Sequence, residues 1–195
     1  MPYFKVNDKD FFFLHIPKTG GKMLEQVFSQ FGLRSGHDVL DSKPNTFSFA
    51  VIRNPLDRLV SSFFYLKAGG CCGMDADDAL KYDIKNNDFK PWVKMLHADP
   101  EKYFKQQHLR PMTKQIGHFS YIDYYILFEN LEQETKAMYQ AFTGHEIDSL
   151  PIVNASKHDH YENYYTEETK KLASEVYNDD TTLHKLIRGE YEKNQ

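Results

Sequence analysis

Apolar residues recur along this chain in two rhythms, and they alternate. From Phe11 to Ile16 they form a short, nearly unbroken run, the signature of a buried strand. A loop from Pro17 to Gly21 follows. Met23, Leu24, Val27, Phe28 and Phe31 then return at helical spacing, with Gly32 placed to stop the helix. A second unit repeats the plan. Phe47 to Ile52 reads as a strand ended by Arg53. Asn54 and Pro55 then supply an N-cap and a proline at the first helical position. Leu56, Leu59, Val60, Phe63 and Phe64 form one apolar face behind them. A third strand, Tyr124 to Phe128, precedes Asn130 and Gln133, a capping pair for a helix through Leu131, Met138 and Phe142 that ends near Gly144. Strands alternating with helices predict an α/β fold of three layers, with a central, mainly parallel sheet covered on both faces.

The stretch 67–119 is less regular and reads as a helical insertion in a single domain, 1–195. Gly69, Gly70 and Gly73 mark a loop in it. Phe89, Trp92, Val93 and Leu96 predict a helix, and Asp99-Pro100 the start of another. An insertion beside an α/β sheet suits a lid or a substrate-binding wall. Its aromatic residues Tyr82, Phe89, Trp92 and Tyr103 can stack on sugar rings, and core packing accounts for them equally well. Thr166, Glu167 and Glu168 open a C-terminal helix through Leu172 and Val176, with a short one near Leu183 to Ile187.

Composition narrows the function classes. A chain of 195 residues with 41% apolar content can bury roughly two-thirds of its unfolded surface. A net charge of -4 argues against a long nucleic acid as partner, which needs a basic face. No run approaches the roughly 18 apolar residues of a membrane span, and the N-terminus lacks the layout of a secretory signal. The only cysteines, Cys71 and Cys72, are adjacent. A disulfide between neighbours closes a strained ring. Both are read as reduced thiols of a cytoplasmic protein, without a metal or redox role.

The chemistry concentrates at two places. His15-Ile16-Pro17-Lys18-Thr19-Gly20-Gly21-Lys22 lies between a buried strand and a helix, where backbone N–H groups and a lysine can receive an anion. A plain βα turn that needs glycine is the alternative. The loop is not the magnesium-dependent type, G-x-x-x-x-G-K-[ST], because Met23 stands where the metal-ligating hydroxyl belongs. The second place is Arg53-Asn54-Pro55-Leu56-Asp57-Arg58-Leu59-Val60-Ser61. Ser61 lies almost two turns beyond Asn54, on the side opposite the apolar stripe, so a guanidinium and a hydroxyl can converge on one phosphate. Two phosphate clamps at neighbouring strand ends match where ligands bind open α/β sheets.

Here the sequence resembles a known family. Phe12 to Phe28 is similar to the 5'-phosphosulfate loop of carbohydrate sulfotransferases that carry an H-I-P-K-T-G-G-T type motif. Phe49 to Tyr65 resembles their 3'-phosphate motif, R-[DN]-P-x-x-R-L-x-S, and Phe128-Glu129-Asn130-Leu131 resembles their F-E-N-L. The resemblance implies a P-loop-like fold and a PAPS-dependent sulfotransferase (PAPS being 3'-phosphoadenosine-5'-phosphosulfate) that releases 3',5'-ADP, with no metal required. It places Lys18 at the bridging oxygen between phosphate and sulfate. The backbone of Thr19, Gly20, Gly21 and Lys22, with the Thr19 hydroxyl, takes the 5'-phosphate, and Arg53 and Ser61 take the 3'-phosphate. The acceptor is a hydroxyl, of a saccharide by resemblance. His37, in a polar loop after the first helix, is the candidate general base; a surface histidine is the alternative. His108 and His118 can line the acceptor pocket, while His15 is expected to pack or hydrogen-bond at the strand end. Lys22 departs from the family's threonine or serine and either neutralises the 5'-phosphate or crowds the loop. His158-Asp159-His160 lacks further ligands at metal spacing. Two other classes stay in view: a P-loop-like nucleotide kinase, and a nucleotide-binding module without catalysis.

Overall fold

The computed structural model describes residues 3–33, 40–151 and 159–193. In chain order the elements are β1 (Tyr3–Val6), β2 (Lys9–Leu14), α1 (Gly21–Val27), β3 (Phe47–Ile52), α2 (Pro55–Lys67), α3 (Gly73–Lys81), α4 (Phe89–Ala98), α5 (Pro100–Tyr103), α6 (Met112–Ile116), β4 (Tyr124–Leu127), α7 (Leu131–Thr143), α8 (Glu167–Val176) and α9 (Asn178–Lys193). They fall into two compact units. The first comprises Met1–Arg53, Met112–Ala155 and Leu186–Gln195; the second comprises Asn54–Pro111 and Ser156–Lys185.

The first unit holds a sheet in the order β1-β2-β3-β4. β2, β3 and β4 run parallel, and β1 is antiparallel to β2. The β1–β2 hairpin was not legible as a strand pair. Its turn is Asn7-Asp8, at φ 48° and 62°, the mirror-type geometry that matches strand twist and that Asn and Asp tolerate. On one face Phe4, Phe11, Phe13, Phe49 and Ile126 form a core with Leu24 and Val27 of α1 and Leu131 and Met138 of α7. Phe13 stacks on Phe49 with ring centres 5.0 Å apart. Phe12, Leu14, Ala50, Ile52 and Leu127, on the other face, are buried as well. Strands covered on both sides need continuous apolar runs, which is what β2 and β3 carry. The fold is mixed α/β with a mostly parallel sheet, as the alternation predicted.

The second unit is helical among its described residues. Asn54 caps α2 as expected, its Oδ1 accepting from the N–H groups of Leu56 (3.0 Å) and Asp57 (3.4 Å). Thr166 caps α8 in a reciprocal box with Thr169. The core gathers Phe63, Trp92, Tyr103 and Tyr177, and the Trp92 indole donates to the Tyr82 carbonyl at 2.9 Å.

Some boundaries moved. β2 stops at Leu14, leaving His15 and Ile16 to the loop. Asn130 precedes α7, but its side chain makes no cap bond, because the helix continues directly from the 3-10 turn Phe128–Asn130. α3 begins at Gly73, inside the expected loop, and α9 is much longer than the short helix expected near Leu183. Among the described residues no helix is long and apolar enough to cross a membrane.

Candidate functional site

β2 and β3 are parallel neighbours, paired from Phe11–Phe47 to Leu14–Ala50, so their carboxyl ends release the chain side by side. The β2 end becomes the loop His15–Gly20; the β3 end presents Arg53. The two ends touch. The Arg53 guanidinium donates to the Lys18 carbonyl at 3.0 Å and lies 4.1 Å over the Phe128 ring. Hydrogen bond and cation–π contact together pin Arg53, which is only 9% exposed.

The loop's backbone is unusual. Lys18 has φ 68° and Gly20 φ 85°, so left-handed residues flank Thr19. A lysine in that region is strained by roughly 1 kcal/mol or more, and such strain persists where surrounding contacts over-determine it. Here the Arg53 bond to its carbonyl is one such contact. Left-handed and right-handed residues in alternation are the backbone pattern from which anion nests are built. α1 spans only seven residues, so its dipole adds little and side chains must carry the positive charge.

Both glycines are required by the protein's own packing. A Cβ on Gly20 would lie 2.4 Å from Leu131 Cδ2 and 3.2 Å from Phe128. A Cβ on Gly21 would lie 2.2 Å from the His15 ring. The His15 imidazole thus fills the space that a side chain at Gly21 would need. It stacks on Phe13 and places Nδ1 2.5 Å from Glu25 Oε1. An ionised carboxylate only accepts, so Nδ1 carries the proton. Lys22 Nζ reaches the other Glu25 oxygen at 2.9 Å. Burial alone would raise the Glu25 carboxyl, but the bonds from His15 and Lys22 outweigh it and hold it below its ordinary value. His15, Glu25 and Lys22 therefore form one charged network behind the loop.

The structure brings together Lys18, Thr19, Gly20, Gly21, Lys22 and Arg53, all in the first unit. Thr19 is fully buried and donates its hydroxyl proton to the Ile16 carbonyl at 2.8 Å, so its hydroxyl is turned into the protein. Lys22 does not crowd the loop; its side chain is about half exposed and folds onto Glu25. Ser61 lies on α2 in the second unit and is 1% exposed, because α2 is buried nearly all round. His37 and His158 fall outside the described residues. His118 is exposed, with Nδ1 bonded locally to Ser120; His108 is buried, against Tyr65 and Gln106. Tyr82, Phe89, Trp92 and Tyr103 are all core residues, at most 4% exposed, so packing and not sugar stacking accounts for them.

Two residues gained roles that the pattern did not assign. Glu25 stands three residues after Lys22 on a helix, a spacing that signals a side-chain pair. Phe128, in the Phe128–Leu131 stretch, supports Arg53 on one side and Gly20 on the other. Its role depends on β4 lying beside β3, which no local spacing reveals.

No curated protein and no solved structure gives a significant match to the chain. The model of the sulfotransferase family matches residues 2–193, nearly the whole length, and includes both strand-end segments. This chain belongs to the sulfotransferase family.

Proposed function

We propose that the chain transfers a sulfuryl group from PAPS to a hydroxyl of a carbohydrate-type acceptor by in-line displacement. The observation that carries this reading is the Arg53 bond to the Lys18 carbonyl, which joins the two cation-bearing strand ends into one edge. Lys18, Lys22 and Arg53 bring three cationic side chains to that edge, a charge suited to a polyanion. When bound, PAPS supplies an activated sulfuryl group on a phosphate leaving oxygen. The Lys18 ammonium neutralises the charge that gathers on that oxygen as sulfate departs, the preorganised stabilisation that dominates such transfers. The backbone from Thr19 to Lys22 receives the 5'-phosphate. With the Thr19 hydroxyl proton committed to Ile16, backbone N–H groups are the donors at that residue. Lys22 can add its charge by leaving Glu25, since an exposed ion pair contributes at most about 1 kcal/mol. The resemblance assigns the 3'-phosphate to Arg53 and also to Ser61, and the acceptor's proton to His37.

Thermal shift with 3',5'-ADP, PAPS, and ATP with and without magnesium tests the donor. Stabilisation by the first two, lost in Lys18→Ala and Arg53→Ala, is expected. Stabilisation by ATP with magnesium but not by 3',5'-ADP would move the protein to the kinases. Acceptor extracts incubated with enzyme and PAPS should show products heavier by one sulfate on mass spectrometry. Tight 3',5'-ADP binding with no transfer in a broad acceptor screen would leave a nucleotide-binding module.

A further inference from the structure

Among the described residues, one group of His, Cys, Asp or Glu side chains gathers its ligand atoms at metal-binding range: Cys71, Cys72 and Asp75, all within 4.8 Å of one another. The group lies in the second unit, with Cys71 and Cys72 in the loop before α3 and Asp75 in the first turn of α3, far along the chain from Lys18 and unused by the sulfuryl-transfer reading. Its parts are held for each other. Asp75 is 5% exposed, and its Oδ2 accepts from the Tyr65 hydroxyl at 2.8 Å and from the Cys71 N–H at 2.9 Å. Gly70, at φ 62°, leaves no room for a side chain: a Cβ there would lie 2.2 Å from the Asp75 Cβ. The Gly69–Gly73 loop is thus folded around this carboxylate, while both cysteines remain exposed.

The donor set decides the class of ligand. Magnesium and calcium require six or more oxygens. Two sulfurs and one carboxylate oxygen suit a thiophilic ion that accepts four-coordination. Sulfur ligands about 2.3 Å from a tetrahedral ion lie about 3.8 Å apart, so exposed thiols within 4.8 Å of each other need to close in by at most about 1 Å. Adjacent cysteines strain a disulfide ring; an ion between them enlarges the ring by one atom and lengthens its bonds. Tyr65 and the Cys71 N–H play the outer-shell part, orienting the carboxylate through Oδ2.

We propose that Cys71, Cys72 and Asp75 bind one thiophilic divalent cation of the zinc class, with water in the fourth position. Binding forms two metal–sulfur bonds and one metal–oxygen bond and releases the two thiol protons to solvent, so affinity falls as pH is lowered. No redox step is involved. The test is titration of the full chain, free of any affinity tag and kept reduced by a phosphine, with Cd²⁺ and then Co²⁺. One equivalent of Cd²⁺ should produce thiolate-to-metal charge-transfer absorption, and Co²⁺ the visible spectrum of a tetrahedral site. Cys71→Ser and Cys72→Ser should each remove most of the cadmium signal. Tyr65→Phe keeps every ligand and should weaken binding by about tenfold. Absence of the cadmium signal in the reduced wild-type chain would overturn the proposal, as would equal uptake by the Cys71→Ser/Cys72→Ser double variant. Should Asp75→Asn, expected to weaken uptake, not fold, Cys72→Ser at its exposed position still decides the matter.

Discussion

The two units handle polar groups in opposite ways. In the first, charge collects at the strand tips: His15, Glu25 and Lys22 form a network, and Arg53 grips a lysine held in a left-handed conformation. In the second, aromatic side chains carry the polar work inward. The Tyr165 hydroxyl donates to the Leu56 carbonyl at 3.0 Å, Tyr177 to Leu109 at 2.7 Å and Trp92 to Tyr82 at 2.9 Å. These bonds satisfy buried carbonyls while the rings fill the core. Strain and concentrated charge cost stability, and they persist where function needs them. Well-satisfied aromatic packing is a structural device. The contrast teaches that the residues most eye-catching in composition, the aromatics of 67–119, are scaffold, whereas a short loop around one lysine is where the proposed chemistry would sit.

The contrast can be broken by mutation. Trp92→Ala should lose about 3–5 kcal/mol of stability in urea denaturation, from the cavity it leaves and the hydrogen bond it removes. Lys18→Ala should slow transfer by about 10²–10³-fold, about 3–4 kcal/mol in barrier, with an unchanged denaturation midpoint. If Lys18→Ala destabilised the chain as much as Trp92→Ala, the division between chemical loop and structural core would fail. Gly21→Ala should cost about 1–3 kcal/mol through collision with His15. The same change in a His15→Ala background should cost less, and a double-mutant cycle reads the difference. Asn54→Ala removes a helix cap and should cost about 1 kcal/mol.

The smallest effect is the dependence on pH. The Glu25 carboxyl is held below the ordinary glutamate value of 4.5, so the ionised form is the one that folding favours. Its contribution is complete above that value and is lost as pH falls through the lowered one. The stability gap between wild type and Glu25→Gln should therefore be present at neutral pH and vanish in acid. A gap that persisted unchanged in strong acid would show that the carboxylate's charge is not what holds the network.

Much of the fold was legible because its signals are local. Asn54-Pro55 before an apolar stripe, Thr166 before two glutamates, and glycine after Phe31 and after Thr143 each report on a few consecutive backbone angles. The continuous apolar runs of β2 and β3 announced strands buried on both faces, and the loop between β2 and α1 carried its motif in unbroken order. Family membership follows from the same order over 2–193. Tertiary structure decided the rest. Phe128 beneath Arg53 depends on β4 pairing with β3, and the bond from Arg53 to Lys18 depends on the register of β2 and β3. The burial of Tyr82, Phe89, Trp92 and Tyr103 depends on helices distant in sequence, and the placing of Asp75 between Tyr65 and Cys71 on a loop that folds back over α3. Hydrophobic spacing states which side of an element is covered. Which partner covers it is set by contacts between segments far apart in the chain, and those exist only once the strands and helices have packed.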